Sequence, residues 1–334
     1  MKKILITGIS GMVGSHLADK KKKKTNWKII GGCRWRSPLN NILHLSDKIN
    51  TGKVKLRYFD LNDYSSIYKV ISEEKPDLIS HLAAQSFPKS SFDEREITYN
   101  TNILGTDRLL DVVRKCKINP IIHICSSSEI FGRVKKKDLP IGEENHFHPA
   151  SPYAISKIGT DLIARFYHEA YNLKIITTRM FTHTGPRRSD FFAESSFAKQ
   201  IALIENKLQK KYLYVGNLNS LRTIADVRDA VDAYFKILSK PFKYGEAYNI
   251  GGKYSCKISD IAKYLISLSK VKNIQIKVDK NRIRPIDADL QIPNTRKFIK
   301  HYKWKPKIKI EKTMIDLLNY WRDVISNNKN FPNR

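Results

Sequence analysis

The chain has 334 residues, and its 61 Lys and Arg against 32 Asp and Glu give a formal net charge of +29. A fraction of 41% apolar residues, with 10% aromatics, is enough for a substantial core, which excludes global disorder. The length favours two domains, or one large domain with an appendage. No stretch reaches the roughly 18 uncharged apolar residues of a membrane helix, and the basic start has no cleavage site, so we expect a cytoplasmic protein.

Short β-rich runs alternate with longer amphipathic stretches in the first half of the chain. The β-rich runs predict six strands, at 4–7, 29–33, 54–59, 78–82, 121–125 and 175–179. Between them, apolar residues recur with a helical period, as in 102–113 and 153–171. This alternation is typical of βαβ units, so we expect an α/β fold with a parallel sheet.

The alternation becomes less regular after residue 179. Helices are predicted at 197–205 and 227–238, strands at 212–215 and 247–251, and a smaller α/β region over 258–327. Because no low-complexity linker separates the parts, we expect a first domain (1–181 plus about 226–252) packed against a second lobe (about 182–225 plus 253–334). One segment fits less well: the first helix runs into Lys20–Lys24, and we expect that end to project into solvent.

Three glycines stand at the first strand-to-helix turn. Gly8, Gly11 and Gly14, in TGISGMVG, follow the first predicted strand and open the first helix. Glycines there permit a tight turn and close approach of the backbone to a pyrophosphate, whose charge is favourable at a helix N-terminus. We therefore predict a Rossmann-type doubly wound sheet that binds a dinucleotide, with Met12 and Val13 also at the site.

The end of the second strand indicates which dinucleotide binds. An NAD site usually has Asp or Glu there for the ribose 2′-hydroxyl, whereas this strand is followed by Arg34, Trp35 and Arg36. Arg34 thus stands where a 2′-phosphate would lie, which favours NADP, although in so basic a chain a surface arginine is the alternative. The residues expected near the cofactor after the third and fourth strands are Asp60, Leu61, Leu82, Ala83, Ala84 and Gln85.

A tyrosine and a lysine four residues apart begin the helix predicted at 153–171. Tyr153 and Lys157 lie one turn apart on the same helix face, not far beyond Ser127 and Glu129, which follow the fifth strand. A Tyr–Lys pair at this spacing arises easily by chance, so its position carries the argument. Because ligands bind at the carboxyl ends of parallel strands, these side chains can converge on one cleft.

These motifs, in this order, resemble those of the extended short-chain dehydrogenases/reductases over nearly the whole chain. Five segments are similar to those of the GDP-mannose 4,6-dehydratase family: HLAAQSFPKSSF (81–92), SSSEIFG (126–132), SPYAISK (151–157), FTHTGPRR (181–188) and RPID (284–287). That family usually has Thr two residues before its catalytic Glu, where this chain has Ser127. The hydroxyl is retained, but the difference also suits a sister enzyme with a related sugar, such as a GDP-heptose.

The resemblance implies an NADP-dependent conversion of a GDP-hexose to its 4-keto-6-deoxy derivative. The implied catalytic residues are Ser127, Glu129, Tyr153 and Lys157. We expect the Lys157 cation to lower the pKa of Tyr153, so that Tyr153 takes the proton of the sugar 4-hydroxyl as hydride leaves C4. Glu129 would then remove the C5 proton, and Ser127 would bind the 4-oxygen or assist the loss of the 6-hydroxyl.

The resemblance also implies the binding residues. NADP would contact Lys157, His183 and Arg188 as well as the first domain, and the sugar nucleotide would contact Ser86, Ser127, Glu129, Tyr153, Asn217, Arg222, Arg284 and Asp287. Arginines suit a diphosphate because a guanidinium forms paired hydrogen bonds with phosphate oxygens. The first domain would then bind NADP and the second lobe the sugar nucleotide, in a homodimer or homotetramer.

Two alternatives remain open. A 4-keto-sugar reductase or epimerase of the same superfamily would use Ser127, Tyr153 and Lys157 without needing Glu129. A non-catalytic protein could instead bind nucleic acid or an acidic polymer through its charge. Lysine, however, contributes 43 of the 61 cations and is dispersed, so we expect neither nucleic acid nor a membrane as partner. The four cysteines show no metal-ligand spacing, and no metal is expected.

Overall fold

The computed structural model describes residues 1–24 and 26–328. Its strands are β1 (Lys3–Thr7), β2 (Lys28–Cys33), β3 (Val54–Tyr58), β4 (Leu78–His81), β5 (Ile121–Cys125), β6 (Lys174–Met180), β7 (His183–Thr184), β8 (Tyr212–Val215), β9 (Leu221–Asp226), β10 (Ala247–Ile250), β11 (Tyr254–Lys257), β12 (Gln275–Val278) and β13 (Leu290–Gln291). Its helices are α1 (Met12–Lys24), α2 (Ser46–Asn50), α3 (Tyr64–Glu74), α4 (Arg95–Tyr99), α5 (Gly105–Lys115), α6 (Pro152–Tyr171), α7 (Ala193–Glu205), α8 (Val227–Ser239), α9 (Ile258–Ser267), α10 (Arg296–Tyr302) and α11 (Ile310–Asn328). In the ranges described, no helix combines the length and apolar character needed to cross a membrane.

Seven strands form one parallel sheet in the order β10-β6-β5-β4-β1-β2-β3. β1 pairs with β2 on one side and with β4 on the other, so the direction of winding reverses between β1 and β4. In an open sheet of this kind, ligands bind beyond the carboxyl ends of the strands at that switch point. The prediction of an α/β fold with a Rossmann-type parallel sheet is confirmed.

Helices cover both faces of this sheet, which explains why its inner strands are buried without alternation. Ile4, Leu5 and Ile6 of β1 are each at most 1% exposed. Leu5 belongs to a cluster with α3, α5 and α6, whereas Ile4 and Ile6 belong to one with α1 and α8. Burying each such side chain contributes about 1.5–3 kcal/mol, so the two helical layers hold the strand ends in fixed positions.

The second part of the chain has an apolar cluster of its own. α7, α9 and α11 pack around Phe197, Ile261 and Leu317, against β8 and β9. β9 pairs with β7, β11 and β13, and β8 pairs with β12. α10 instead packs Phe298 edge-on against Tyr248 of β10, on the parallel sheet. The division at 1–181 plus about 226–252 and about 182–225 plus 253–334 stays a prediction.

The eight strands that the sequence predicts are all present, each within one residue at either end. The three helices predicted at 153–171, 197–205 and 227–238 are also present, although α7 begins four residues early because its first turn has no apolar period. The backbone of α1 continues through Lys24, and Lys20 pairs with Asp232 of α8 at 2.5 Å. The side chains of residues 21–24, on which the expected solvent-facing end depends, lie outside the described part.

Candidate functional site

One cleft of about 1450 Å³ lies at the carboxyl edge of the parallel sheet, between the sheet and the second part of the chain. It is lined by every residue that the sequence analysis assigns to cofactor, substrate or catalysis. From the first 160 positions these are Gly8, Gly11, Met12, Val13, Gly14, Arg34, Asp60, Leu61, Leu82, Ala83, Ala84, Gln85, Ser86, Ser127, Glu129, Tyr153 and Lys157. From the later positions they are His183, Arg188, Asn217, Arg222, Arg284 and Asp287. The structure thus brings all of them together, while the role of each stays a prediction.

The turn between β1 and α1 requires glycine at two positions. Gly8 has φ +71°, a left-handed conformation that other L residues rarely adopt. A Cβ on Gly14 would lie 2.3 Å from the carbonyl oxygen of Gly8, which is backbone and cannot move aside. Both glycines are therefore required by the close packing of the turn itself, which lines the cleft, and the N-terminus of α1 favours an anion there. These residues fit the pyrophosphate of a dinucleotide.

Thr7 fixes the loop after β4 against the end of β1. Its Oγ1 accepts hydrogen bonds from the backbone N–H groups of Leu82 and Ala83, each at 3.0 Å. The same oxygen lies 3.0 Å from Nδ1 of His81. Burial lowers the pKa of His81 to about 3, so the imidazole is neutral at neutral pH and can accept a hydrogen bond from the Thr7 hydroxyl. A satisfied buried network therefore positions the segment expected to pass along a cofactor.

Asn102 supports the site from outside the cleft lining, and the sequence analysis includes it only as part of a helical pattern. Its Nδ2 donates to the carbonyl oxygen of Gln85 and to Oγ of Ser156, both at 2.9 Å. Its Oδ1 accepts the N–H of Gln85 at 2.8 Å. This amide joins the loop after β4 to the helix that carries Tyr153 and Lys157. The signal in the sequence is an amide side chain on an otherwise apolar helix face.

The end of β2 presents cations to the cleft. Arg34 lines both the cleft and a smaller pocket beside it, which also includes Trp35 and Arg36. Trp35 packs edge-on against Tyr58, with ring centroids 5.0 Å apart. Arg34 is exposed, so its guanidinium is available to a ligand. This end of the cleft fits a ribose 2′-phosphate.

The start of α6 places Tyr153 and Lys157 on its buried side. Ser151 caps the helix, because its Oγ accepts a backbone N–H of the first turn at 3.0 Å. Tyr153 is 8% exposed and Lys157 is 6% exposed. The Nζ of Lys157 donates to the carbonyl oxygen of Cys125 at 2.8 Å, which holds α6 against the end of β5. Ser127 lies two residues beyond that strand end.

The pKa of Tyr153 corrects one expectation. Burial raises the pKa of Tyr153 above its usual value, and a hydrogen bond with the Ser127 side chain opposes part of this effect. Burial also lowers the pKa of Lys157. A lowered pKa of Tyr153 is expected from the sequence, but the net shift is upward, because the loss of hydration of the phenolate outweighs the Ser127 hydrogen bond and the charge of Arg188. The Nζ of Lys157 is directed to Cys125.

Glu129 lies in a network of ion pairs and is only 9% exposed. Its N–H donates to Oγ of Ser127 at 3.2 Å, at the start of a 3₁₀ turn. Arg222 donates to Oε1 of Glu129 at 3.2 Å and to Oδ1 of Asp287 at 3.1 Å. Arg284 lies 3.9 Å from Oε2 of Glu129 and 3.4 Å from Oδ1 of Asp287. Two carboxylates and two guanidinium groups thus compensate one another in a part of the cleft where their side chains are 10–21% exposed.

Arg188 is a partly buried cation whose Nε is fully buried and has hydrogen-bonding capacity to spare. Its Nε has no hydrogen-bond partner among the described residues, and its guanidinium lies 3.4 Å from the ring centroid of Phe192. Burial lowers the pKa of Arg188 to about 10, with Glu194 and Tyr153 acting in the opposite direction. Burial also lowers the pKa of His183 to about 3, and the charge of Arg188 contributes. An acceptor oxygen of a bound ligand would satisfy the Nε of Arg188.

The second part of the chain adds wall residues that the sequence analysis does not include. Phe192 and Glu194 line the cleft, from the loop before α7 and from its first turn. No signal in the sequence separates Glu194 from the acidic residues that commonly begin helices for the sake of the helix dipole. Nor does the sequence single out Phe192, because it follows another phenylalanine in a loop whose conformation no sequence pattern predicts.

Comparison with known proteins gives one consistent result. The model of the GDP-mannose 4,6 dehydratase family matches residues 5–317. GDP-mannose 4,6 dehydratase of Drosophila melanogaster is 32% identical over 340 residues, which cover 95% of this chain and 85% of the relative. GDP-6-deoxy-D-mannose reductase of Pseudomonas aeruginosa is 28% identical and is covered to 98%, with 97% of this chain matched. The solved structure of RMD from Pseudomonas aeruginosa complexed with NADPH has a TM-score of 0.82 at 26% identity, covering 97% of this chain and 100% of that one. With its parallel sheet, glycine turn and Ser–Tyr–Lys cleft, this chain belongs to the GDP-mannose 4,6-dehydratase family.

Proposed function

We propose that the protein is an NADP-dependent 4,6-dehydratase of a GDP-hexose, either GDP-mannose or a related GDP-sugar. The observation that carries this proposal is the buried carboxylate of Glu129, whose charge acts on Tyr153. The backbone N–H of Glu129 donates a hydrogen bond to Oγ of Ser127. A reductase of this superfamily needs the hydroxyls and the lysine alone. Elimination of water from a 4-ketone also needs a base for the C5 proton, and Glu129 supplies one.

The first step assigned to the chain is proton removal from the sugar 4-hydroxyl. Tyr153 accepts this proton, and the Ser127 hydroxyl stabilises the phenolate and holds the 4-oxygen. Lys157 keeps the start of α6 against β5 and adds a positive charge to the same cleft. A bound nicotinamide cofactor supplies the acceptor for hydride from C4 and its later return to C6.

The second step is elimination. The 4-ketone acidifies the C5 hydrogen, and Glu129 takes that proton and passes it to the 6-hydroxyl, which leaves as water. C5 later takes a proton from the medium. Arg222 and Arg284 keep this carboxylate in place from the opposite wall. The same two guanidinium groups are suited to the diphosphate of the substrate, since Arg222 already makes two separate hydrogen bonds with carboxylates.

The direct test is incubation of the purified protein with GDP-mannose and NADP+, followed by mass spectrometry. The expected product is lighter by one water, carries a 4-ketone, and forms without net change in the cofactor. Failure with GDP-mannose and with a panel of other GDP-hexoses would reject dehydration.

A second candidate function is reduction of a 4-keto sugar nucleotide. The similarity to GDP-6-deoxy-D-mannose reductase of Pseudomonas aeruginosa favours it. This function predicts one NADPH consumed per turnover with a GDP-4-keto-6-deoxy-hexose, and no water loss from GDP-mannose. The absorbance of reduced nicotinamide during turnover separates the two functions.

Replacing Arg34 by alanine is expected to lower kcat/KM for NADP+ about tenfold to a hundredfold, because a charge-assisted contact with the 2′-phosphate is lost. The same variant should change kcat/KM for NAD+ by less than about threefold, since NAD+ has no such phosphate. Steady-state kinetics with both cofactors measure this difference. Arg133→Ala, at an exposed position away from the cleft, is the matched control. An equal loss with NAD+ would contradict the proposed selection of NADP.

An exposed apolar patch on α6 supports a homodimer. α6 exposes three large apolar side chains, with Ile155 at 45%, Leu162 at 42% and Phe166 at 52%, beside Ile97 and Leu104 of the preceding helical turns. Covering them with a second copy would remove a contiguous apolar patch from water. Light scattering after size exclusion is expected to give the mass of a dimer or tetramer, and Phe166→Glu is expected to give a monomer. A monomeric wild-type protein would contradict this proposal.

A further inference from the structure

Glu194 is a buried acid in the cleft to which neither step above assigns a role. It is the second residue of α7 and is 4% exposed, yet it lines the cleft. Within the described residues it forms no hydrogen bond and no ion pair, unlike Glu129 and Asp287. A buried carboxylate without hydrogen bonds is costly, so its oxygens are available to donors that enter the cleft.

Its charged neighbours place Glu194 near the reacting part of the cleft. Its charge acts on Arg188 and on Arg222. Arg188 in turn interacts with Tyr153, and Arg222 donates to Glu129 at 3.2 Å. The acid therefore shares a neighbour with each of the two residues that exchange protons with the sugar.

The chemistry of the cleft limits what Glu194 can bind. A carboxylate repels phosphate oxygens, so it is not suited to the diphosphate or to the cofactor 2′-phosphate. It accepts hydrogen bonds from hydroxyl groups, and the sugar has two hydroxyls, at C2 and C3, that the reaction leaves unchanged. An N-terminal helix position stabilises the negative charge but leaves both oxygens free to accept.

We propose that Glu194 accepts a hydrogen bond from the 2- or 3-hydroxyl of the sugar and so determines which hexose is accepted. This inference rests on the proposed function, because it assumes a GDP-hexose in the cleft. It adds a specificity-determining residue on α7, whose negative charge is suited to hydroxyl groups, whereas the arginines of the cleft are suited to phosphates.

The test compares wild type with Glu194→Gln on GDP-mannose, its 2-deoxy and 3-deoxy analogues, and GDP alone. Glu194→Gln is expected to lower kcat/KM and affinity for GDP-mannose about tenfold to a hundredfold. For the analogue that lacks the contacted hydroxyl, the two proteins should differ by less than about threefold, and the same holds for the affinity of GDP. Glu169→Gln, which removes the same charge from an exposed position on α6, should behave as wild type.

Three outcomes would overturn the inference. An unchanged affinity for GDP-mannose would show that Glu194 does not bind the substrate. A loss of equal size with all three sugars would show that the substitution acts through the charge of Arg188 and Arg222. An equal loss with GDP alone would show that Glu194 contacts the guanine base. If the wild type binds GDP-mannose without turning it over, the proposed dehydratase function has failed. The affinities of the two proteins, measured by calorimetry, still decide the role of Glu194.

Discussion

Replacing Glu129 by glutamine is expected to lower kcat for dehydration about a thousandfold and to change the affinity for the substrate by less than about threefold. Glutamine preserves the size of the side chain and can still accept a hydrogen bond from Arg222. It cannot take the proton from C5. Oxidation at C4 does not need that proton transfer, so reduced cofactor should accumulate in a single turnover without a product lighter by one water.

Solvent isotope incorporation gives the sharper readout of this variant. In D2O the wild-type product should carry deuterium at C5, because the proton removed there is replaced from the medium. Glu129→Gln should leave C5 without deuterium in the sugar recovered from the reaction. Retention of more than about a tenth of the wild-type dehydration rate would exclude Glu129 as the base.

Asp287→Asn is the matched control, because Asp287 is the other carboxylate that receives a hydrogen bond from Arg222. It removes one charge from the same network without removing a group proposed to take a proton. We expect it to raise KM for the GDP-sugar and to leave the deuterium label at C5. If both variants lost kcat to the same extent, the effect would belong to the orientation of Arg222 and not to proton transfer.

The sheet and the glycine turn could be predicted because both depend on short-range sequence pattern. Strands buried on two faces are apolar runs, and Gly8 and Gly14 are required by local backbone geometry. The position of the cleft follows from the same pattern, since βαβ order places the strand ends at one edge. For this reason, Tyr153 and Lys157 could be assigned to the cleft from the sequence alone.

The interactions within the cleft could not be predicted, because they depend on distant segments and on burial. Arg222 contacts Glu129 across 93 positions of the chain, and the loops that bring them together follow no sequence period. The direction of the pKa shift of Tyr153 was mispredicted for a related reason. The sequence shows a cation one turn away, but it does not show the burial of the phenol, which is the largest cause of the shift. Glu194 shows the same limit, since only the packing of α7 reveals that its carboxylate is buried and faces the cleft.

Replacing Tyr153 by phenylalanine is expected to lower kcat between about a hundredfold and ten-thousandfold at neutral pH, because the group that takes the 4-hydroxyl proton is removed. Phenylalanine fills the same buried volume, so we expect the melting temperature to change little. Tyr167→Phe is the matched control on the same helix: its hydroxyl donates to Oδ1 of Asp107 at 3.0 Å, away from the cleft. That variant should lose about 1 kcal/mol of stability and keep its activity.

The pH dependence distinguishes a proton acceptor from a residue that only packs. Burial raises the pKa of Tyr153, so at neutral pH the phenol is protonated and only a small fraction is ready to accept a proton. The rate of the wild type should therefore increase with pH between about pH 6 and pH 9, as that fraction grows. Burial lowers the pKa of Lys157, so its positive charge in the cleft is lost at a lower pH than in a free lysine, and the rate should level off or fall at the alkaline end. The residual activity of Tyr153→Phe should lack the rising limb. A variant that kept the wild-type profile at a reduced rate would assign the titration to another group, and Tyr153 would then orient the substrate without exchanging a proton with it.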